Sequence, residues 1–415
     1  MMNLNYKKER ISNMTKKILS VLLACLVLFG TVAVASAAPK SQQLQFNSDG
    51  KFKIIHLTDI QDVYPMVPAT KKFIKEMLEV YKPDLVVLGG DNTVSSKEDK
   101  EASIKELCDI FVDSGTYFTQ VFGNHDAQQG YTREELFPMY QKFGGEFFLG
   151  FDAANADGSD MTGVGTHNLT VKSSDGKKVA YNLYMFDSNM YATDENGNEV
   201  GYDSVHPDQI EWYKATAAKL KEENGGTTVP AMAFQHIVVQ EAFEQLFCKS
   251  TVSLGSAGKD FDGVHYTYLP KLSAIKDGLL LEAPCPGYYN YGQFDAMVET
   301  GDVKAIFSGH DHVNDYTVTL NGINITNTAG ATLHSYGKDY IRGARLIVLD
   351  EKNLSTYETS SITCAEMTLR EGSLLSQTEG GMSKSQAKVA LAFGKLLRVL
   401  VKMLGLFTFF SDKVC

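Results

Sequence analysis

The stretch VKAIFSGHDHVND, residues 303–315, decides how the chain is read. Its first half, Val303 to Phe307, is apolar and rich in β-branched and aromatic types, as an interior strand requires. Its second half sets a glycine, two imidazoles and a carboxylate at that strand's carboxyl end. Four other stretches repeat the form. Residues 53–58 lead into Asp59-Ile60-Gln61, and residues 84–88 into Gly90-Asp91-Asn92. Residues 117–122 lead into Gly123-Asn124-His125-Asp126, and residues 231–234 into Gln235-His236. Helix-like stretches lie between them, near 69–81, 97–112, 132–142, 208–222 and 239–247. Strand–helix alternation predicts an α/β fold. Sites in such sheets form at the carboxyl ends of strands, and all five clusters stand there.

The glycines have a physical reading. Gly90, Gly123 and Gly309 let the backbone turn sharply as it leaves the sheet. The next side chain then points at an ion rather than back into the core. Each Gly–polar pair taken alone is as readily an ordinary turn; the ordered set of five is specific. Pooled, the clusters offer the carboxylates, imidazoles and side-chain amides that two divalent cations need. Asp187-Ser188-Asn189 ends a further apolar run, Val179 to Phe186, and either borders the site or caps its strand.

This ordered set resembles the calcineurin-like metallophosphoesterase superfamily. Residues 309–315, with Gly330 and the HSYGK stretch at 334–338, are similar to its purple-acid-phosphatase-related branch. The resemblance covers roughly residues 50–350. It implies a four-layer α/β/β/α sandwich with a two-metal site at the sheet edge. It further implies that Asp91 bridges the metals, that Asp59 and His312 complete the first site, and that Asn124, His236 and His310 complete the second. His125 matches the catalytic histidine, with Asp126 beside it to orient the ring, and His334 falls in the substrate pocket. One position departs from the pattern. Asp-x-His is usual at the first cluster, whereas Gln61 offers only a neutral amide oxygen, a weaker ligand than imidazole for transition metals. Val94 stands where true purple acid phosphatases carry a tyrosine ligand, so no tyrosinate-to-iron band is expected. The implied cofactors are two divalent ions, Mn, Fe, Zn or Mg.

Two cations about 4 Å apart lower the pKa of a shared water towards neutrality. The resulting hydroxide attacks phosphorus in line, while the cations neutralise charge on the non-bridging oxygens. Protonated His125 then serves the departing alkoxide. No Ser or Cys motif suggests a covalent nucleophile. The expected function is hydrolysis of phosphomonoesters, on phosphorylated small molecules or phosphoproteins. A phosphodiesterase or nucleotide pyrophosphohydrolase on the same site is the alternative, as is a metal-binding pseudoenzyme tethered to the cell envelope. Of the remaining histidines, His56, His167, His206 and His265 read as core or surface residues.

Composition fits one large domain with appendages: 415 residues with a net charge of −11. Such an acidic surface does not favour nucleic acid. Residues 1–37 read as a secretory signal: Lys7, Lys8, Arg10, Lys16 and Lys17 precede an apolar run, Ile18 to Ala35, and an Ala35-Ser36-Ala37 cleavage pattern. The mature chain is then secreted or associated with the cell envelope. Residues 38–370 form the expected catalytic domain and 371–386 a polar linker. A long insertion, about 245–300, is rich in Gly, Tyr and Pro; it covers the metals or packs on its own aromatics. Cys108 reads as a core thiol. Residues 387–415 read as a basic amphipathic helix. Lys388, Lys395, Arg398 and Lys402 share one face, opposite Leu391, Leu397, Leu400, Val401 and Leu404. Such a helix is expected to contact a membrane surface through 387–410, or to dock on the domain or a second subunit.

Overall fold

A computed structural model describes residues 44–155, 157–249, 258–261 and 264–408. The expected signal peptide and residues 409–415 lie outside this range. From Gln43 onward the chain is one compact unit.

Two sheets carry the fold. The first has five strands in the order Tyr357–Thr363, Gly343–Asp350, Lys51–Leu57, Leu85–Gly89, Phe118–Val121. Its last three are parallel, pairing Ile54 with Leu85 and Val86 with Phe118. The second has seven strands, and at its centre Val179–Met185, Ala231–Phe234, Val303–Ser308 and Ile323–Asn327 run parallel. The five polar clusters follow parallel strands of these two sheets, so strand direction alone brings them to the same edge.

Side-chain alternation along each strand, with period two, divides the apolar residues between separate cores. Ile54, Leu85, Val87 and Ile347 of the first sheet share a core with Met185, Met232, Phe234 and Phe307 of the second. Their strand neighbours face away. Ile55, Val86 and Leu88 pack with Phe73 and Met77 of helix Pro68–Tyr81 and with Ile104, Leu107 and Phe111 of helix Lys100–Ser114. Ala231, Ala233 and Ile306 pack with Tyr213 of helix Pro207–Glu223 and Phe243 of helix Gln240–Leu246. Burial on both faces explains why these strands read as continuous apolar runs. Each large side chain so buried contributes roughly 1.5–3 kcal/mol.

The helices fall near their expected places. Arg133–Gly144 opens with a capping box between Thr132 and Glu135. Cys108 is buried in its helix, as expected. The 245–300 insertion is more regular than its composition suggests. It holds a three-stranded sheet, Phe247–Lys249, Gly258–Phe261 and Val264–Pro270, and helix Gln293–Thr300. A hairpin not foreseen from sequence pairs Tyr191–Thr193 with Glu199–Tyr202.

The C-terminal region differs from expectation. The segment expected as a linker is fastened to the domain. Ser373 Oγ donates to Glu76 Oε2 at 2.7 Å, the Leu374 amide donates to Glu76 Oε1 at 3.0 Å, and Leu375 is buried. The last helix begins at Lys384, three residues earlier than expected, and runs to Thr408. Its Ala387 and Ala390 enter the core, and the helix packs against helix Cys364–Leu369.

Candidate metal centre

The loops that leave the strands are bent to converge. Asp59 (φ 51°), Gln61 (φ 39°), Asp91 (φ 51°) and His310 (φ 73°) all adopt left-handed backbone. Each costs about 1–3 kcal/mol for a residue with a Cβ, and such strain clusters at functional sites. Backbone bonds lock the loops together: Asp59 N donates to Gly90 O at 3.0 Å, and Gln61 N to Asp91 O at 2.8 Å. Of the three cluster glycines only Gly90 takes left-handed backbone (φ 91°); Gly123 and Gly309 are needed for space. A Cβ on Gly123 would lie 2.2 Å from Asp91 Oδ1, and one on Gly309 2.5 Å from Asp59 Oδ2.

The convergence brings two donor groups together around Asp91. One is Asp91, His236 and His310; the other is Asp59, Asp91 and His312. Within each group one ligand atom per residue lies within 4.8 Å of the others, and all five residues are buried. His236 Nε2 is 3.3 Å from Asp91 Oδ2, and His312 Nε2 is 3.4 Å from Asp59 Oδ1. The opposite ring nitrogens are engaged elsewhere: His236 Nδ1 with Gly89 O at 2.9 Å, His312 Nδ1 with Tyr336 O at 3.1 Å. Those contacts aim each Nε2 inward. Asp91 Oδ1 accepts from His125 N at 2.7 Å, and Asp59 Oδ2 from His310 N at 3.0 Å.

Four buried atoms here make no hydrogen bond, Asp59 Oδ1, Asn124 Oδ1, His236 Nε2 and His310 Nε2, although Asp59 Oδ1 and His236 Nε2 stand in the longer ion-pair contacts above. A buried polar atom left unpaired costs about 1–3 kcal/mol, and four in one place is the donor set of a divalent-cation site. The residues present therefore fit two metal ions sharing Asp91. Charge follows the same geometry. Burial disfavours the charge on Asp91, but the adjacent His236 ring outweighs it and holds the carboxyl well below the usual range. Burial likewise opposes the charge on His236, yet Asp91 raises it to about 10. Burial, with His236 nearby, pushes His310 down to about 3. Cations displace such shared protons, so uptake releases them.

Gln61 touches this group without adding to the orphaned donors. Its Nε2 donates to Asp91 Oδ2 at 2.9 Å. Asn124 donates through Nδ2 to Tyr191 Oη at 3.2 Å, which turns its Oδ1 inward. His125 stands half-exposed at the rim, Nε2 4.0 Å from Asp91 Oδ2. Its Nδ1 meets Gln128 Oε1 at 2.6 Å, and Gln128 Nε2 donates to Tyr191 Oη at 2.6 Å.

Asp126 does not orient that ring, contrary to expectation. It is turned the other way, where Oδ1 accepts from Asn92 N at 2.8 Å and Oδ2 from Gly123 N at 2.8 Å. It ties the second and third cluster loops together. Burial, reinforced by Asp91, raises its carboxyl to about 6. The buried Lys100 completes the fastening, donating to Asp126 O at 3.0 Å and Thr93 O at 2.9 Å. His334 is exposed. From its loop it is Tyr336 that reaches the site, its ring stacked on His312 with centroids 4.2 Å apart. Tyr202 meets His310 edge-on, also at 4.2 Å. In Asp187-Ser188-Asn189, Asp187 Oδ2 pairs with Arg133 at 2.5 Å, and Ser188 Oγ accepts from Ile237 N at 2.9 Å, one residue after His236. His56 and His167 are core residues, bonded to Thr328 Oγ1 and Thr119 Oγ1.

Gln128, Tyr191, Tyr202 and Tyr336 are thus site residues that the cluster pattern missed. Two weak signals pointed to them: Gln128 lies three residues after His125, and Tyr191 follows Asp187-Ser188-Asn189.

Paired carboxylate–imidazole groups at the edge of two packed sheets define a metallophosphoesterase. Residues 52–314 match the calcineurin-like phosphoesterase family. The chain belongs to that family, in its purple-acid-phosphatase-related branch. It is similar to probable inactive purple acid phosphatase 14 of Arabidopsis thaliana, 31% identical over 350 residues that cover 77% of this chain and 80% of the relative. Phosphatase DCR2 of Saccharomyces cerevisiae is 28% identical over 298 residues, 66% of this chain and 46% of that protein. A solved dimetal phosphatase from Danio rerio aligns over 75% of this chain and 98% of its own, with TM-score 0.43 and 12% identity.

Proposed function

We propose that the chain is an exported, two-metal phosphoesterase that hydrolyses phosphomonoesters. The observation that carries this reading is the pair of buried donor groups that share Asp91, with His125 retained just outside them. Metal storage alone has no use for that histidine. In this reading Asp91 would be shared by the two ions, with Asp59 and His312 holding one and Asn124, His236 and His310 the other. When bound, divalent cations supply Lewis acidity to the phosphoryl oxygens and an activated water.

The chain's own residues do the rest. Gln128 fixes the His125 ring through Nδ1, leaving Nε2 to carry a proton to the leaving oxygen. Tyr191, Tyr202 and Tyr336 stand beside Asn124, His310 and His312. Three walls of this kind support a compact monoester over an extended diester, with His334 at the rim. The division of apolar residues among three cores supports a four-layer α/β/β/α arrangement. Export rests on the leader sequence.

A second reading, metal binding without turnover, draws on Gln61, which contacts the bridging carboxylate where an imidazole ligand is usual. It also matches the word inactive in the name of the Arabidopsis relative. Turnover of p-nitrophenyl phosphate against bis-p-nitrophenyl phosphate, with added Mn²⁺, separates these readings. Monoester turnover that a chelator abolishes is the expected result. Preference for the diester would move the substrate class, and absence of both activities in metal-loaded protein would select the second reading.

A further inference from the structure

The C-terminal helix Lys384–Thr408 has three faces where its spacing suggests two. One face is docked: Ala387 and Ala390 are buried, Leu397 and Val401 pack on Leu279, Val313 and Ile341, and Arg398 pairs with Asp315. This overturns the simple charged-versus-apolar division, because Arg398, Leu391, Leu397 and Val401 all turn towards the domain. The face turned away from the domain is apolar and exposed. Val389 is 70% exposed, Leu396 and Val399 53% each, Met403 and Leu404 50% each, and Leu400 41%.

The third face is a line of lysines. At 3.6 residues per turn, Lys384, Lys388, Lys395 and Lys402 fall within about 40° of one another, and all four are exposed. They run along one border of the apolar face. The helix contains no Asp or Glu. Among the described residues, Lys402 alone of the four has an acid within 4.0 Å, Asp277 at 3.8 Å, and both are well exposed, a pair worth little in water. This basic strip belongs to a chain of net charge −11.

We infer that this outward face seats on the surface of an anionic lipid bilayer. A continuous exposed apolar stripe on a docked helix marks an interaction surface, and charge decides the partner. Lysines along its border place ammonium groups at headgroup level while their stems lie on the apolar boundary. A second copy of the helix would offer no acid to meet them. Among the described residues no helix is long and apolar enough to cross a membrane, so the helix lies on the surface rather than spanning it. The docked face holds the catalytic domain against it: the Asp315 that takes Arg398 is three residues from His312, and Tyr340 packs on Phe393 with ring centroids 5.2 Å apart. The metal centre is thereby kept next to the bilayer.

The test is co-sedimentation of residues 38–415, which keep the whole compact unit, with lipid vesicles. Vesicles of phosphatidylcholine with about 30% phosphatidylglycerol should pull the protein down, while pure phosphatidylcholine should retain far less. Raising salt from ~50 to ~500 mM should release much of it. Joint replacement Lys384→Gln, Lys388→Gln and Lys395→Gln should weaken anionic binding about a hundredfold. Leu396→Ser with Leu400→Ser should abolish it. Wild-type protein that stays in the supernatant with anionic vesicles at low salt would overturn the proposal. So would binding that neither set of substitutions changes. A wild-type dimer in sedimentation velocity that Leu396→Ser with Leu400→Ser converts to monomer would assign the face to a second copy instead.

Discussion

Gln61 gives its side-chain amide to Oδ2 of Asp91 at 2.9 Å, the same oxygen that lies 3.3 Å from His236 Nε2. The residue where an imidazole ligand is usual therefore acts on the shared carboxylate rather than adding a donor of its own. Under the proposed function a first metal would rest on Asp59, Asp91 and His312, one protein ligand fewer than the common pattern.

Gln61→His should restore that ligand. Mn²⁺ affinity at the weaker site should rise about 10-fold or more, by analogy with the cost of altering a metal's surroundings. Titration calorimetry on stripped protein reads this directly. Unchanged affinity would place residue 61 outside the coordination shell.

His125 and Gln128 should behave as a unit. His125→Ala should lower kcat about 10²–10⁴-fold, the range for loss of a general acid, with metal content unchanged. Gln128→Ala should lower kcat less, because the ring remains but loses its Nδ1 partner. Loss of metal in His125→Ala would contradict the separation of roles drawn here.

Asp126 is a fastening, so its removal should appear in stability before chemistry. Asp126→Ala leaves the amides of Asn92 and Gly123 without their acceptor, which should cost about 2–4 kcal/mol in urea unfolding. Full stability with lost turnover would instead return Asp126 to a direct role at His125.

Acid should destabilise the fold through His167. Burial pushes this ring down to about 4 in the folded protein, against about 6.5 unfolded. Between those values the unfolded chain binds the extra proton, so stability is present above pH ~6.5 and falls as pH drops towards ~4. The full difference is on the order of 3 kcal/mol. Urea midpoints should fall over that window, and the slope should shrink in His167→Gln. An identical slope in the variant would remove His167 as a cause.

The strands and the five clusters were legible because burial on both faces writes continuous apolar runs, and because the ligand types follow them immediately. Asp59, Asp91, His236, His310 and His312 come together in space. The walls of the site were not legible. Tyr191, Tyr202 and Tyr336 come from a hairpin and a loop whose positions depend on packing far from the motifs. Asp126 misled because sequence adjacency to His125 says nothing about which way a carboxylate points after a turn. The last helix misled because it is apolar on two sides, and spacing cannot tell which of them the domain will cover.

Metal stoichiometry tests the central claim most directly. Residues 38–415, stripped and reloaded with Mn²⁺, should hold two ions per chain, and Asp91→Asn should lose both metal and monoester turnover together. One ion or none in the wild type, or two ions retained in Asp91→Asn, would contradict a centre built around a shared Asp91.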